Sequence, residues 1–173
     1  MKTLYLLRHA KSSWKGEGVE DFDRPLSKRG RAAAKAMGEY FARHRIAPAQ
    51  VLCSPARRTR ETLQRLQDGI GPAVPVRFEK IVYMADASAL LRRLRRLNDS
   101  LASAMLVGHN PGLEQLALAL AAEEGDGLRR QLAAKFPTGS LAVIETDVER
   151  WADLEPGCGR ITAFTRAKDL GAE

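Results

Sequence analysis

Two histidines and at least two arginines in this chain stand where they could act together on an anion. Arg8 and His9 close an apolar run at the N-terminus, Arg58 follows a second apolar run, and His109 follows a third. Such a set suits phosphoryl transfer, in which negative charge spreads over three equatorial oxygens while the entering and departing atoms stay in line. Arginine answers that charge with a planar fork that grips phosphate oxygens in pairs and stays protonated at every working pH, which makes Arg8 and Arg58 the expected clamp. A histidine can also accept the phosphoryl group, splitting hydrolysis into two displacements through a covalent intermediate. Its attacking nitrogen must then be unprotonated, a state that neighbouring arginines favour and that a backbone carbonyl on the other ring nitrogen would fix. Each residue alone also has a plain reading: His109 as a cap for the helix that follows, Arg58 as one surface arginine among many.

What joins them is the pattern of elements. Residues 2–8 form an apolar run with no breaker, predicting a buried strand that ends at Arg8-His9. Residues 10–26, rich in Gly, Ser, Asp and Pro, predict a long loop, and Ser27 a helix N-cap. Ala33, Met37, Tyr40, Phe41 and His44 then mark one helix face, giving His44 a packing or surface role. Val51 to Cys53 predicts a strand, with Ser54-Pro55 opening a helix to about residue 67 and a turn-rich connection over 69–75. A helix is expected over 86–97, a strand over 104–107, and a helix carrying Leu113, Leu116, Ala117 and Leu120 on one side. After a Gly- and charge-rich break near 123–127, residues 140–145 and 161–164 predict final strands, one of them antiparallel.

Strands alternating with helices predict an α/β fold of three layers, a mostly parallel sheet with helices on both faces, over residues 1–173 as one domain. In such sheets ligands bind beyond the carboxyl ends of the strands. Three of those ends carry the Arg8-His9, Ser54 to Arg58 and Gly108-His109-Asn110 clusters, so the polar residues should converge on one pocket.

Composition narrows the classes. The chain has 173 residues and is 45% hydrophobic, enough for a substantial core. The N-terminal apolar run is too short for a signal core or membrane span, and Cys53 and Cys158 lack CxxC spacing, so a cytoplasmic protein with free thiols is expected. The three histidines form no zinc-type pair. A net charge of +7 leaves room for a basic protein that binds nucleic acid or an acidic partner. The arginines from Arg92 to Arg96, however, alternate with leucines at 90, 94 and 97 as a solvated helix face would.

Leu7-Arg8-His9-Ala10, the run from Ser54 through Arg58 to Thr62, and Val107-Gly108-His109-Asn110 together resemble the histidine phosphatase superfamily, with its phosphoglycerate-mutase-like fold. The stretch Arg8 to Trp14, the pattern Asp23-Arg24-Pro25-Leu26-Ser27 and the short chain look like the SixA-type phosphohistidine phosphatase branch. The resemblance implies that His9 is the nucleophile and that Arg8, Arg58 and His109 bind the phosphoryl group, with Ser12 a further phosphate contact and Arg57 the competitor of Arg58. It implies no cofactor and no metal. Ala10-Lys11 replaces the Gly-Glu of mutases, and Thr59 the usual Ala. Glu79 and Asp86 are the candidates for a general acid, although SixA-like proteins often lack one. The implied substrate is phosphohistidine in a signalling or phosphotransfer protein, the alternative a small phosphate ester; no nucleic acid or membrane partner is implied, and a monomer is expected.

Overall fold

The computed structural model describes residues 1–123 and 127–172. Six strands, β1 (Lys2–Arg8), β2 (Val51–Cys53), β3 (Val76–Phe78), β4 (Ser103–Gly108), β5 (Leu141–Thr146) and β6 (Gly159–Thr165), form one sheet in the order β3-β2-β4-β1-β5-β6. The pairs β3-β2, β2-β4 and β4-β1 are parallel, while β5 runs antiparallel to both its neighbours and so opposes the other five strands. The helices are α1 (Lys28–Arg43), α2 (Arg57–Ile70), α3 (Ala87–Leu94), α4 (Gly112–Leu120) and α5 (Gly127–Ala134).

Alternation along the strands builds two cores. Leu4, Leu6, Leu52, Leu106 and Ile144 pack with α3, α4 and α5 on one face, while Leu7, Val51, Cys53, Val107 and Val143 pack with α1 and α2 on the other. The sheet is thus covered on both sides, as a parallel sheet requires. The helix stripes follow: Met37 and Phe41 are buried on α1, and Leu113, Leu116, Ala117 and Leu120 on α4. His44 is exposed at the end of α1, its ring against Tyr40. Leu90, Leu94 and Leu97 are buried; Arg92 and Arg96 face solvent, while Arg93 pairs with Glu79 and Arg95 donates to the Leu154 carbonyl.

Some boundaries differ from expectation. Helix α2 opens at Arg57, after Pro55, because the Ser54 amide still donates to the Val107 carbonyl and keeps the chain extended beyond β2. It also runs on to Ile70, into the expected turn. Strand β3 and helix α5 escape the sequence pattern: β3 has three residues with Phe78 half exposed, and α5 buries Leu132 alone among its described residues. Of the break expected near 123–127, residues 124–126 lie outside the described residues.

The register places the chemistry. Leu7, Val107 and Cys53 lie side by side across β1, β4 and β2, so Arg8, Gly108 and Ser54 form the next row and His9 and His109 follow directly. The His9 amide donates to the Gly108 carbonyl, carrying the ladder one step past the strand. Beside this edge, Ser27 caps α1 by accepting from the Gly30 amide, and a Cβ on Gly30 would lie 1.9 Å from the Lys11 carbonyl oxygen. Only glycine allows the start of α1 to press that closely on the loop behind His9.

Candidate active site

Arg8, His9, Ser12, Arg58 and His109 line a single cavity of about 360 Å³, together with Lys11, Trp14, Asp21, Arg24, Met84, Asn110 and Thr138. The rings of His9 and His109 have centroids 5.3 Å apart, and Arg58 Nη2 donates to His109 Nδ1 over 3.2 Å. All four principal residues expected from sequence therefore reach one small space. Arg57 does not: it points outward to pair with Glu61 at 2.7 Å, beside a different surface cavity.

His9 Nδ1 lies 2.7 Å from the carbonyl of Ala10. A carbonyl can only accept, so Nδ1 carries the hydrogen and Nε2 keeps its lone pair. The Ala10 amide in turn donates to Thr62 Oγ1, whose hydroxyl donates to the Arg58 carbonyl, coupling the loop behind His9 to the helix that carries Arg58. From the far side, the amide of Gly139, at φ +75, donates to the His9 carbonyl. Arg8 Nη1 and Asn110 Nδ2 both donate to the Phe136 carbonyl, tying the first and third motifs together. The Nε atoms of Arg8 and Arg58 have no hydrogen-bond partner among the described residues. Buried guanidinium donors of that kind suit an anion.

Burial dominates the titration of both histidines. It pushes His9 down to about 3, with His109, Arg58 and Arg8 adding to the fall and the Ala10 carbonyl opposing it. His109 likewise falls to about 3, through burial and then the charge of Arg58. Both rings are neutral at physiological pH, the form in which Nε2 of His9 can attack. The linkage has a definite sign. Above about 6.5 folded and unfolded chains agree; below it the unfolded chain binds protons that the folded one refuses, so stability falls as pH drops toward about 3. Each buried histidine should cost up to about 1.4 kcal/mol per pH unit across that window. Urea midpoints at pH 7.5 and pH 5.0 check this, and His9→Ala should show a smaller decline than wild type.

The loop after β1 supplies residues that sequence reasoning did not assign. A short 3-10 turn, Asp21–Asp23, brings Asp21 against Arg58, whose Nη1 donates to its backbone carbonyl at 2.7 Å and Nη2 to its carboxylate at 3.1 Å. The same carboxylate accepts from the Tyr83 hydroxyl and from Arg24 Nη1. Burial alone would raise Asp21, but hydrogen bonds from Tyr83 and Arg24 and the charge of Arg58 outweigh it and hold the carboxyl at about 2. Arg24 also donates to Ser12 Oγ and lies over the Trp14 ring, its guanidinium carbon 3.4 Å from the centroid. Ser12 thus lines the cavity as expected, with Arg24 on its oxygen. The i, i+3 spacing of Asp21 and Arg24 was visible in the sequence; Tyr83 and Met84 follow the unrecognised strand β3 and left no signal.

Neither candidate acid lies in the cavity lining. Glu79 accepts two hydrogen bonds from Arg93, at 2.7 and 2.8 Å, which hold it below the usual carboxylate range. Asp86 caps α3 by accepting from the Ala89 amide. The carboxylate that does line the cavity, Asp21, is an anion.

Comparison with known proteins agrees with this architecture. The model of the histidine phosphatase superfamily (branch 1) matches residues 4–81. A solved structure from Agrobacterium tumefaciens assigned to phosphohistidine phosphatase SixA is 32% identical, with TM-score 0.81, covering 95% of this chain and 97% of that one. A second structure with the same assignment, from Nakamurella multipartitia, is 30% identical with TM-score 0.82 and covers 95% of each chain. An uncharacterized protein of Mycobacterium tuberculosis is 34% identical over 160 residues, 91% of this chain and 98% of its own. The chain belongs to the histidine phosphatase superfamily and is a phosphatase with the phosphoglycerate-mutase-like α/β fold. Its place there is in the SixA-like branch.

Proposed function

We propose that this phosphatase removes the phosphoryl group from phosphohistidine in a signalling or phosphotransfer protein, through a covalent intermediate on His9. The Nε2 lone pair attacks phosphorus, the bond from phosphorus to the substrate imidazole breaks, and the electron pair returns to that imidazole. Arg8, Arg58 and His109 hold the equatorial oxygens, with Ser12 beside them. Phosphorylated His9 keeps its hydrogen on Nδ1, so the ring is cationic and the Ala10 carbonyl stabilises it. Water then attacks phosphorus, the P–Nε2 bond breaks, and dihydrogen phosphate leaves with neutral His9 restored.

The observation that carries the substrate class is the cavity's lack of a protonated carboxyl among the described residues, with Asp21 held at about 2. An alkoxide leaving group needs a proton delivered to the departing oxygen. Phosphohistidine does not: protonation from solvent on the ring nitrogen remote from phosphorus lets it leave as neutral imidazole. An open rim supports a protein substrate, since Trp14 is 70% and Met84 51% exposed at the cavity mouth. The chain would act as a single monomeric domain in the cytoplasm; free Cys53 and Cys158 suit that compartment, and among the described residues no helix is long and apolar enough to cross a membrane.

The deciding experiment assays a phosphohistidine-carrying protein beside a panel of small phosphate esters. The expected result is kcat/KM at least about 10²-fold higher on the phosphohistidine protein, the size of advantage expected where esters lack an acid that contributes that much. Turnover of esters alone would replace this reading with a metabolite phosphomonoesterase.

A further inference from the structure

Resting on the phosphatase reading, we infer that Ser54 is a positioning residue that commits His109 to enter the cycle with Nδ1 bare, so that the second histidine takes up a proton when the phosphoryl group binds and becomes a cation only then.

The geometry assigns the hydrogens. Arg58 Nη2 faces His109 Nδ1 at 3.2 Å, and a guanidinium can only donate, so Nδ1 holds a lone pair in the free protein. The ring hydrogen is then on Nε2, which lies 2.8 Å from Ser54 Oγ. Ser54 is fully buried, and its oxygen also accepts from the Ala56 amide over 3.3 Å. Its position just past β2 is set by the ladder hydrogen bond from its own amide to Val107.

A phosphoryl oxygen entering the cavity is an acceptor and cannot rest against a bare Nδ1. Arg58 Nη2 transfers its donation to that oxygen, and Nδ1 takes a proton from solvent to make its own hydrogen bond. Because Nε2–H is already held by Ser54, the product is an imidazolium with both nitrogens donating. The groups facing the ring are Arg58 from α2, Arg8 and His9 from the end of β1, Asp21 from the loop turn and Tyr83 from beyond β3. The arginines oppose the new charge, while the phosphoryl anion and Asp21 favour it. The site gains a positive charge when there is negative charge to meet, and free His109 adds none to the repulsion between Arg8 and Arg58. Without the Ser54 oxygen the ring could move its single hydrogen to Nδ1 and bind as a neutral donor.

Tungstate tests this in the intact protein, because near neutral pH it carries no proton and any uptake belongs to the protein. Calorimetry at pH 7.0 in buffers of differing ionisation enthalpy should give wild-type uptake of between about half and one proton per tungstate. Ser54→Ala should lose most of that uptake and bind about tenfold more weakly, the effect of one buried hydrogen bond. Ser54→Thr, which restores a hydroxyl, should recover both. Nitrogen-15 NMR should show His109 protonated on Nε2 in the free wild type and a mixture of tautomers in Ser54→Ala. Should the alanine variant not fold, Ser54→Cys keeps the shape with a poor acceptor and takes its place. Wild-type binding without proton uptake, an Nδ1-protonated free His109, or unchanged uptake in the Ser54 variants overturns the inference. If wild type neither binds tungstate nor turns over any phosphoryl compound, the phosphatase reading falls with it; normal turnover with unchanged uptake removes the Ser54 role alone.

Discussion

Replacing His9 with alanine is expected to reduce phosphate release to the uncatalysed rate while leaving the fold in place. The ring is the one whose Nε2 lone pair is kept free by a hydrogen bond from Nδ1 to the Ala10 carbonyl, so its loss removes the attacking atom rather than weakening a contact. The fold should tolerate the change because the strand beneath is held by backbone pairing and by its apolar neighbours Leu6 and Leu7, both fully buried. The measurement is a rapid quench with labelled substrate. Wild type should trap a phosphoenzyme labile in acid and stable in base, as a phosphoramidate is, and His9→Ala should trap none. Full turnover by His9→Ala would move the nucleophile elsewhere and dissolve the proposed chemistry.

Replacing Arg58 with alanine should lower kcat/KM by about 10²- to 10³-fold, the scale of removing a preorganised donor to developing charge. Two losses add here. The guanidinium no longer meets the phosphoryl oxygens, and Asp21, which it pairs with at 3.1 Å, keeps Arg24 and Tyr83 but loses this cation within the same cavity. The cavity keeps Arg8, Lys11 and Arg24, but its positive charge falls beside an uncompensated part of Asp21, so an anionic substrate is held less well. Arg58→Lys should recover little, because a point ammonium cannot hold Asp21 and a phosphoryl oxygen in two directions at once. Adding Asp21→Asn to Arg58→Ala should recover part of the loss, whereas Arg57→Ala, on the outer side of α2, should change little. Steady-state kinetics on the four variants decides: equal activity for the single and double variants would deny Asp21 its part in the defect.

The elements carrying the site were readable because their signals are local and strong. An unbroken apolar run ends at Arg8, another ends at Gly108, and the Ser27 cap with the Met37 and Phe41 stripe starts and faces α1 as the pattern predicts. The start of α2 was not readable in the same way. Proline at residue 55 is a good first-turn residue, yet a tertiary hydrogen bond from the Ser54 amide holds the chain extended, and the helix waits for Arg57. Strand β3 is too short for periodicity to register and forms because β2 offers it an edge.

The choice between Arg57 and Arg58 divides the two kinds of information. Adjacent residues on a helix point about 100° apart, so local sequence made both arginines available, and the packing of α2 on the sheet turned Arg58 inward, 3% exposed, and Arg57 out to Glu61. Residue type and spacing pointed to the α/β class and to the four side chains, Arg8, His9, Arg58 and His109, that meet in one cavity, and the motifs pointed to the family. The charge states came from elsewhere. Burial that makes His9 and His109 neutral and the meeting of Asp21 with Arg58, 37 residues away along the chain, depend on how the sheet brings distant segments together, since desolvation and Coulomb energy act through space and not along the backbone.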